Sequence, residues 1–194
     1  MSQQRLLRVA IVLGSTRRGR FCPTVANWFT ARARQYGNLD LDVIDLAEAR
    51  LPDVLSDHGE PLPEQVRALA PRLSAADAFV IVTPEYNHSF PAPLKTAIDW
   101  YLDEWKAKPV AFVSYGGMSG GLRAVEQLRL VFAEVHAMTI RDTISFYNYP
   151  DQFDHNGQPT HPEGANEAAK AMLDQLSWWA IALRNARTEH PYDR

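Results

Sequence analysis

The sequence predicts an α/β protein, a three-layer sandwich in which a five-stranded parallel sheet of order 2-1-3-4-5 lies between two layers of helices. Short unbroken apolar runs, of the kind buried on both faces of a parallel sheet, alternate with segments whose apolar residues recur at helical spacing. One strand-like run instead alternates acidic and aliphatic residues, which gives it a wet face and places it at an edge. No linker, low-complexity run or internal repeat divides the 194 residues, so residues 1–194 read as one domain.

Leu6 to Leu13 is the first buried strand, and it ends in Gly14. Pro23 opens a helix whose apolar positions are Val25, Trp28, Phe29, Ala33 and Tyr36. Leu39 to Leu46, LDLDVIDL, is the alternating edge strand. Val66, Leu69 and Leu73 mark a second helix, which Pro71 is expected to kink or shorten. Ala78 to Val82 and Val110 to Val113 are two further buried strands. A helix patterned on Leu94, Ala97, Ile98, Tyr101 and Leu102 follows the first, and one on Leu122, Val125, Leu128 and Phe132 follows the second. A last strand is expected near Met138 to Ile144 and a closing helix from Ala165 to Ala186. Between them, Ser145 to His161 is the long irregular segment, and its aromatics suggest a loop that packs on something. With the second strand at an edge, the order is the flavodoxin-like one.

The formal net charge of −3 offers no field for steering nucleic acid, which leaves a small molecule as the expected partner. A single cysteine, Cys22, excludes an internal disulfide framework and fits a reducing compartment. Arg8 interrupts the N-terminal apolar run and Arg17 and Arg18 follow it, which suits neither a signal peptide nor a membrane span. A cytoplasmic location is therefore expected, with no membrane partner.

In a parallel sheet, ligands bind beyond the carboxyl ends of the strands, where the winding reverses. The unusual residues of this chain follow strands one, three and four, which are neighbours in the order 2-1-3-4-5. GSTRRGRF, Gly14 to Phe21, has the spacing of a triphosphate loop, but Arg20 and Phe21 replace the lysine and the magnesium-binding hydroxyl. Its hydroxyls, arginines and helix-start N–H groups suit a phosphate monoester better than a magnesium triphosphate. The second loop, PEYNHSFPAP, offers a stiff backbone, Tyr86, and the polar edges of Glu85, Asn87 and His88, a wall suited to a flat heteroaromatic ring. It also reads as a helix entry with Ser89 capping and Pro91 or Pro93 in the first turn, and His88 reads as a structural group. The third loop, SYGGMSGG, brings its backbone close to a ligand through Gly116 and Gly117.

Together, GSTRRGR, the string PEYNHSFPAPLKTAIDW from Pro84 to Trp100, and SYGG from Ser114 to Gly117 resemble the NADPH-dependent FMN reductase family of flavodoxin-like proteins. The resemblance implies FMN as cofactor, with Ser15, Arg17 and Arg20 at its phosphate. It places Pro84, Glu85, Tyr86 and Asn87 along the ring and Ser114, Tyr115, Gly116 and Gly117 at the ring's other edge. It further implies hydride transfer from NADPH or NADH to the flavin, then reduction of a small-molecule electron acceptor: free flavin, a quinone, an azo compound or a metal oxyanion. No side chain is assigned as acid or base, and no metal is implied. Many relatives carry serine and asparagine where this chain has Arg20 and Cys22. A homodimer or homotetramer is also implied, with Trp100, Tyr101 and Trp105 near the subunit contact.

Two other readings bear on the same residues. Gly117 to Gly121 spell G-x-S-x-G between a strand and a helix, the setting of a hydrolase nucleophile at Ser119, with Asp142 or Asp154 and His155 or His161 as partners in chain order. A non-enzymatic FMN electron carrier is the second, against which the near-neutral charge counts. Cys22 lies near a helix start but without a second cysteine, and reads as a packing residue.

Overall fold

The apolar runs form five parallel strands in a computed structural model that describes residues 5–192: β1 (Leu7–Leu13), β2 (Leu39–Asp45), β3 (Ala78–Pro84), β4 (Pro109–Tyr115) and β5 (Met138–Phe146). Their order is β2-β1-β3-β4-β5, as expected, with β2 at one edge and β5 at the other. The helices are α1 (Cys22–Tyr36), a four-residue α2 (Leu46–Ala49), α3 (Glu64–Ala75), α4 (Ala92–Trp100), α5 (Leu122–Glu134) and α6 (Pro162–Glu189).

Strand alternation splits the core into two layers. Val9, Ile11 and Leu13 of β1, Val80 and Val82 of β3, and Val113 and Tyr115 of β4 face α1 and α6. Ala10 and Val12, Phe79 and Ile81, and Val110 and Phe112 face α3, α4 and α5. Both faces of the three central strands are thus dry apart from Arg8 near the start of β1, which explains their apolar runs.

Pro71 lies inside α3, exposed and four residues before its end at Ala75, so the hydrogen bond it forgoes lies on the solvent side. Two local expectations are corrected. Helix α4 stops at Trp100, because Tyr101 is already extended at φ −129°, and Tyr101 and Leu102 fall outside it. Tyr101 and Trp105 also leave no surface for a subunit contact, being 3% and 1% exposed within this chain. The Tyr101 hydroxyl donates to the Val66 carbonyl, and Trp105 lies between Phe79 and Phe132 at 4.6 and 5.5 Å with its Nε1 donating to Ile98 O. Trp100 is half-buried, its Nε1 donating to the Pro52 carbonyl at 2.9 Å.

The irregular segment does pack. A 3-10 turn at Tyr149–Gln152 and the buried Phe153 lie against Phe21, with ring centroids 4.9 Å from Tyr149 and 5.3 Å from Phe153. The residue standing where a triphosphate loop carries its metal-binding hydroxyl is therefore an apolar anchor between α1 and the segment after β5.

Candidate functional site

The three loops lie side by side at the carboxyl ends of β1, β3 and β4, tied by hydrogen bonds between them. The Gly14 N–H donates to Val82 O at 2.9 Å, extending the ladder past the end of β1. The Ser15 hydroxyl is 2.8 Å from the Tyr86 phenol, joining the first loop to the second. The Glu85 N–H donates to Tyr115 O at 3.0 Å, joining the second to the third. The sequence-predicted site residues are thus brought to one sheet edge.

In the first loop Ser15 is fully buried, whereas Thr16, Arg17, Arg18 and Gly19 are exposed. The Arg20 N–H closes a turn on Arg17 O at 3.2 Å, and Gly19 takes the positive φ of 66° that this turn requires. The Arg20 guanidinium points back: it meets both oxygens of Asp45 at 2.5 Å and donates to Ser15 O at 2.6 Å. Arg17 and Arg18 have no acidic partner among the described residues. The N-terminus of α1 carries no side-chain cap; Pro23 has no N–H, and those of Thr24 and Val25 turn back onto Phe21 O at 3.0 and 3.4 Å.

Cys22 anchors the loop from below. It is fully buried, its thiol directed at Val82 O at 3.5 Å, and burial pushes its pKa up to about 11 despite the Ser15 N–H facing its sulfur. It is a packing residue.

The second loop is a tight hairpin turn. Tyr86 and Ser89 exchange backbone hydrogen bonds of 2.8 and 3.0 Å, and Asn87 and His88 between them have φ of 50° and 68°. Positive φ at both central residues is the demand of a type I′ turn, and asparagine and histidine are among the non-glycine residues that tolerate it best. Ser89 does not cap α4, whose N-cap is Pro91; its hydroxyl donates instead to Gln127 Oε1 at 2.6 Å. The Glu85 carboxylate is 8% exposed and accepts from Ser119 Oγ at 2.5 Å, Arg123 N at 3.1 Å and Arg123 Nη1 at 3.1 Å. Burial alone would raise its pKa, but the bonds from Ser119 and Arg123 outweigh burial and hold it below the usual carboxylate value.

In the third loop the side chains of Ser114 and Tyr115 are buried. Ser114 Oγ donates to Gly120 O at 2.9 Å, and the Tyr115 ring packs edge-on to Phe21 and Tyr149. Its phenol is held protonated by burial among these groups. The Gly116 N–H is taken by Phe146 O at 3.0 Å, while Gly117 is exposed with open space where a Cβ would stand. Gly121, at φ 92°, lies so close to Ser114 that a Cβ there would be 2.6 Å from the serine's own. The glycine pair of GMSGG thus serves the loop's packing.

Ser119 is not built as a nucleophile. Its hydroxyl donates to Glu85, and among the described residues no histidine bonds to it. Asp154, a suggested triad member, uses its carboxylate on the N–H groups of Asn156 and Gln158 in a surface turn.

One wall escaped the sequence reading. Leu46, Ala47, Arg50 and Asp53, beyond β2, form with Thr16, Pro93 and Thr96 a cavity of about 210 Å³ beside the first loop. No pattern in the sequence ties residues 46–53 to Thr16; the adjacency of β1 and β2 does.

The site fits a phosphorylated flat ring. Asp45, the carboxylate bonded to the first loop, is neutralised by Arg20, so the exposed Arg17 and Arg18, beside the positive dipole end of α1, leave that end net positive. Tyr86, Asn87 and Gly117 offer an aromatic face, an amide and open backbone at the other end.

The sequence model of the family described as NADPH-dependent FMN reductase matches residues 7–151. A protein of Oryza sativa subsp. japonica named a probable NADPH:quinone oxidoreductase 2 is 32% identical over 200 residues, covering 96% of each chain. An NAD(P)H-dependent FMN reductase of Schizosaccharomyces pombe is 38% identical over 122 residues, and the match covers 59% of this chain and 60% of that one. Among solved structures, FerB, a flavoenzyme NAD(P)H:(acceptor) oxidoreductase from Paracoccus denitrificans, superposes with a TM-score of 0.74, covering 91% of this chain and 98% of that chain. At 24% identity that likeness speaks for the fold.

Proposed function

Because the chain belongs to the NADPH-dependent FMN reductase family, we propose that it binds FMN where the three loops converge and carries reducing equivalents from NAD(P)H to a small acceptor of the quinone class. The observation that carries this reading is the tied convergence itself: Ser15 on Tyr86 and Glu85 on Tyr115 join a cationic loop, an aromatic turn and a glycine loop at the switch point of the sheet.

Arg17 and the N–H groups before α1 hold the phosphate. Arg20 acts through Asp45 and Ser15, setting the shape of the loop. Pro84, Tyr86 and Asn87 wall the ring. Gly117 presents main chain to its other edge, backed by the buried Gly116, whose N–H and carbonyl are tied to Phe146 and Tyr149, and by the buried Ser114 and Tyr115. When bound, FMN supplies two-electron chemistry between nicotinamide and acceptor. The exposed Asn87, Met118 and Gly117 leave the rim open, so the two substrates can use it in turn. The quinone class is favoured by the relative in rice that bears that name and aligns over nearly its full length. The whole chain acting as one FMN-binding unit, a homo-oligomeric state and a cytoplasmic location belong to the same proposal. In its support, no helix among the described residues is long and apolar enough to cross a membrane.

The test is the visible absorption spectrum of the purified protein reconstituted with FMN, taken before and after anaerobic NADPH, then after a benzoquinone. Bound flavin that bleaches with NADPH and recovers with the quinone is expected. Absence of flavin binding, or bound flavin that stays oxidised with NADPH and NADH alike, overturns the proposal.

A further inference from the structure

Helix α5 grips the ring-facing turn at both of its ends. Ser119, just before the helix, and Arg123 in its first turn hold the Glu85 carboxylate through the three bonds described above. One turn further along, Gln127 Nε2 donates to the His88 carbonyl at 2.8 Å, and Gln127 Oε1 accepts from the Ser89 hydroxyl at 2.6 Å. Residues 119, 123 and 127 are spaced by four, so they line one face of the helix and its lead-in. Between the two grips lie Asn87 and His88, both in the left-handed region that costs energy for residues other than glycine. Only two backbone bonds close the turn itself.

Resting on the flavin reading above, we propose that α5 is a splint: Ser119, Arg123 and Gln127 are positioning residues that hold the turn from Glu85 to Ser89, and with it Tyr86 and Asn87, in the orientation that receives the FMN ring. The G-x-S-x-G string thereby finds a purpose. Its glycines let the third loop fold tightly against Ser114, and its serine donates to the carboxylate that joins the two ring-facing loops. Buried and ionised, Glu85 needs these donors, because an ionised carboxylate without partners is costly in such a place. Arg123 is the charged donor among them, and its guanidinium, unlike its main-chain N–H, is what a substitution there removes.

The test uses Ser119→Ala, Arg123→Met and Gln127→Ala, with Arg123→Lys as the conservative variant. The first readout needs no flavin: amide hydrogen exchange of the apoprotein, followed by NMR. The Tyr86 and Ser89 amides are expected to exchange at least tenfold faster in Arg123→Met and severalfold faster in the other two, with the amides of β3 and α3 unchanged. The second readout is FMN titration of each variant. A tenfold rise in the dissociation constant for Arg123→Met, an altered visible band of the bound flavin, and partial recovery in Arg123→Lys are expected. Unchanged exchange at Tyr86 and Ser89 overturns the splint. Faster exchange together with wild-type FMN affinity and spectrum overturns its role toward the cofactor. If the wild-type protein binds no FMN at all, the proposed function falls, while the exchange data still decide whether α5 holds the turn.

Discussion

The Arg20 guanidinium meets the Asp45 carboxylate end-on, Nη1 and Nη2 on its two oxygens at 2.5 Å, with the side chains only 16% and 14% exposed. The pair fastens the loop after β1 to the end of the edge strand, and Asp45 additionally caps α2 through the Ala47 N–H at 3.0 Å. Asparagine at position 45 keeps that cap but loses the charge-assisted fork. Asp45→Asn is therefore expected to cost roughly 1.5–3 kcal/mol of folding stability, the range for hydrogen bonds to charged groups. Because the pair acts as a unit, Arg20→Ala combined with Asp45→Asn should weaken FMN no more than Arg20→Ala alone. Urea denaturation and flavin titration of the three variants check this, and an additive loss in the double variant would show Arg20 acting on the phosphate directly.

Trp105 gives a second prediction, because its burial turns an expected interface residue into a core one. With Phe79 and Phe132 on either side and 1% of its surface exposed, Trp105→Ala removes an aromatic from a closed space and should destabilise by roughly 3–5 kcal/mol. The variant should lose stability without a change in subunit number at low temperature. Light scattering alongside thermal melting checks it, and clean dissociation with an unchanged melting temperature would return Trp105 to an interface.

Cys22 should be silent as a nucleophile. Fully buried, and with its pKa pushed up to about 11, the thiol should resist disulfide reagents at pH 8 in the native protein and react stoichiometrically in urea. Its protonated form is favoured by folding, so its share of stability is complete below the unfolded value near 9.0 and is lost as pH climbs toward 11. Relative to Cys22→Ala, the wild-type protein should lose stability across that window. Reagent titration and urea melts at pH 8 to 11 measure both.

The strands and their order were legible because burial on two faces writes itself as unbroken apolar runs, and a wet edge as the alternation of LDLDVID. The three site loops were legible for the same reason, since strand ends locate them. What lay beyond reading were long-range side-chain partnerships. Arg20 finds Asp45 only because β2 runs beside β1, and Glu85 finds Arg123 only because β3 runs beside β4. The end of α4 was overrun because Tyr101 has the apolar spacing of a helical residue. Its burial comes instead from a run of turns after the helix, in which Tyr101 itself is extended and Ala107 takes φ 52°.

Lys108 predicts an unusual alkaline response. Its ammonium group is buried at the end of α3, donating to Leu73 O and Ser74 O at 2.9 Å each, with Arg187 nearby. Burial first, and then Arg187, push its pKa down to about 8 from the ordinary 10.5, with Asp77 pulling the other way. Folding therefore expels a proton that the unfolded chain retains between those values, so the share of stability from Lys108 rises with pH through about 8 to 10.5, by up to about 1.4 kcal/mol per pH unit. The stability difference between the wild-type protein and Lys108→Met should grow in favour of the wild type across that window. Urea melts of both at several pH values check it, and a flat difference would mean the lysine keeps its ordinary pKa.

Arg17 separates holding the loop from holding the cofactor. Unlike Arg20, its side chain is exposed and has no acidic partner among the described residues, so the folded apoprotein loses nothing when it is removed. A phosphate at the start of α1, by contrast, would gain a charge-assisted bond from it, which makes Arg17→Ala weaken FMN by roughly 1.5–3 kcal/mol. The expected pattern is a raised FMN dissociation constant with an unchanged melting temperature for the apoprotein, the reverse of Asp45→Asn, whose first effect is on folding. Riboflavin, which lacks the phosphate, supplies the control: its affinity should be the same in Arg17→Ala and wild type. Equal losses for riboflavin and FMN would place Arg17 away from the phosphate and leave Arg18 and the helix start to hold it.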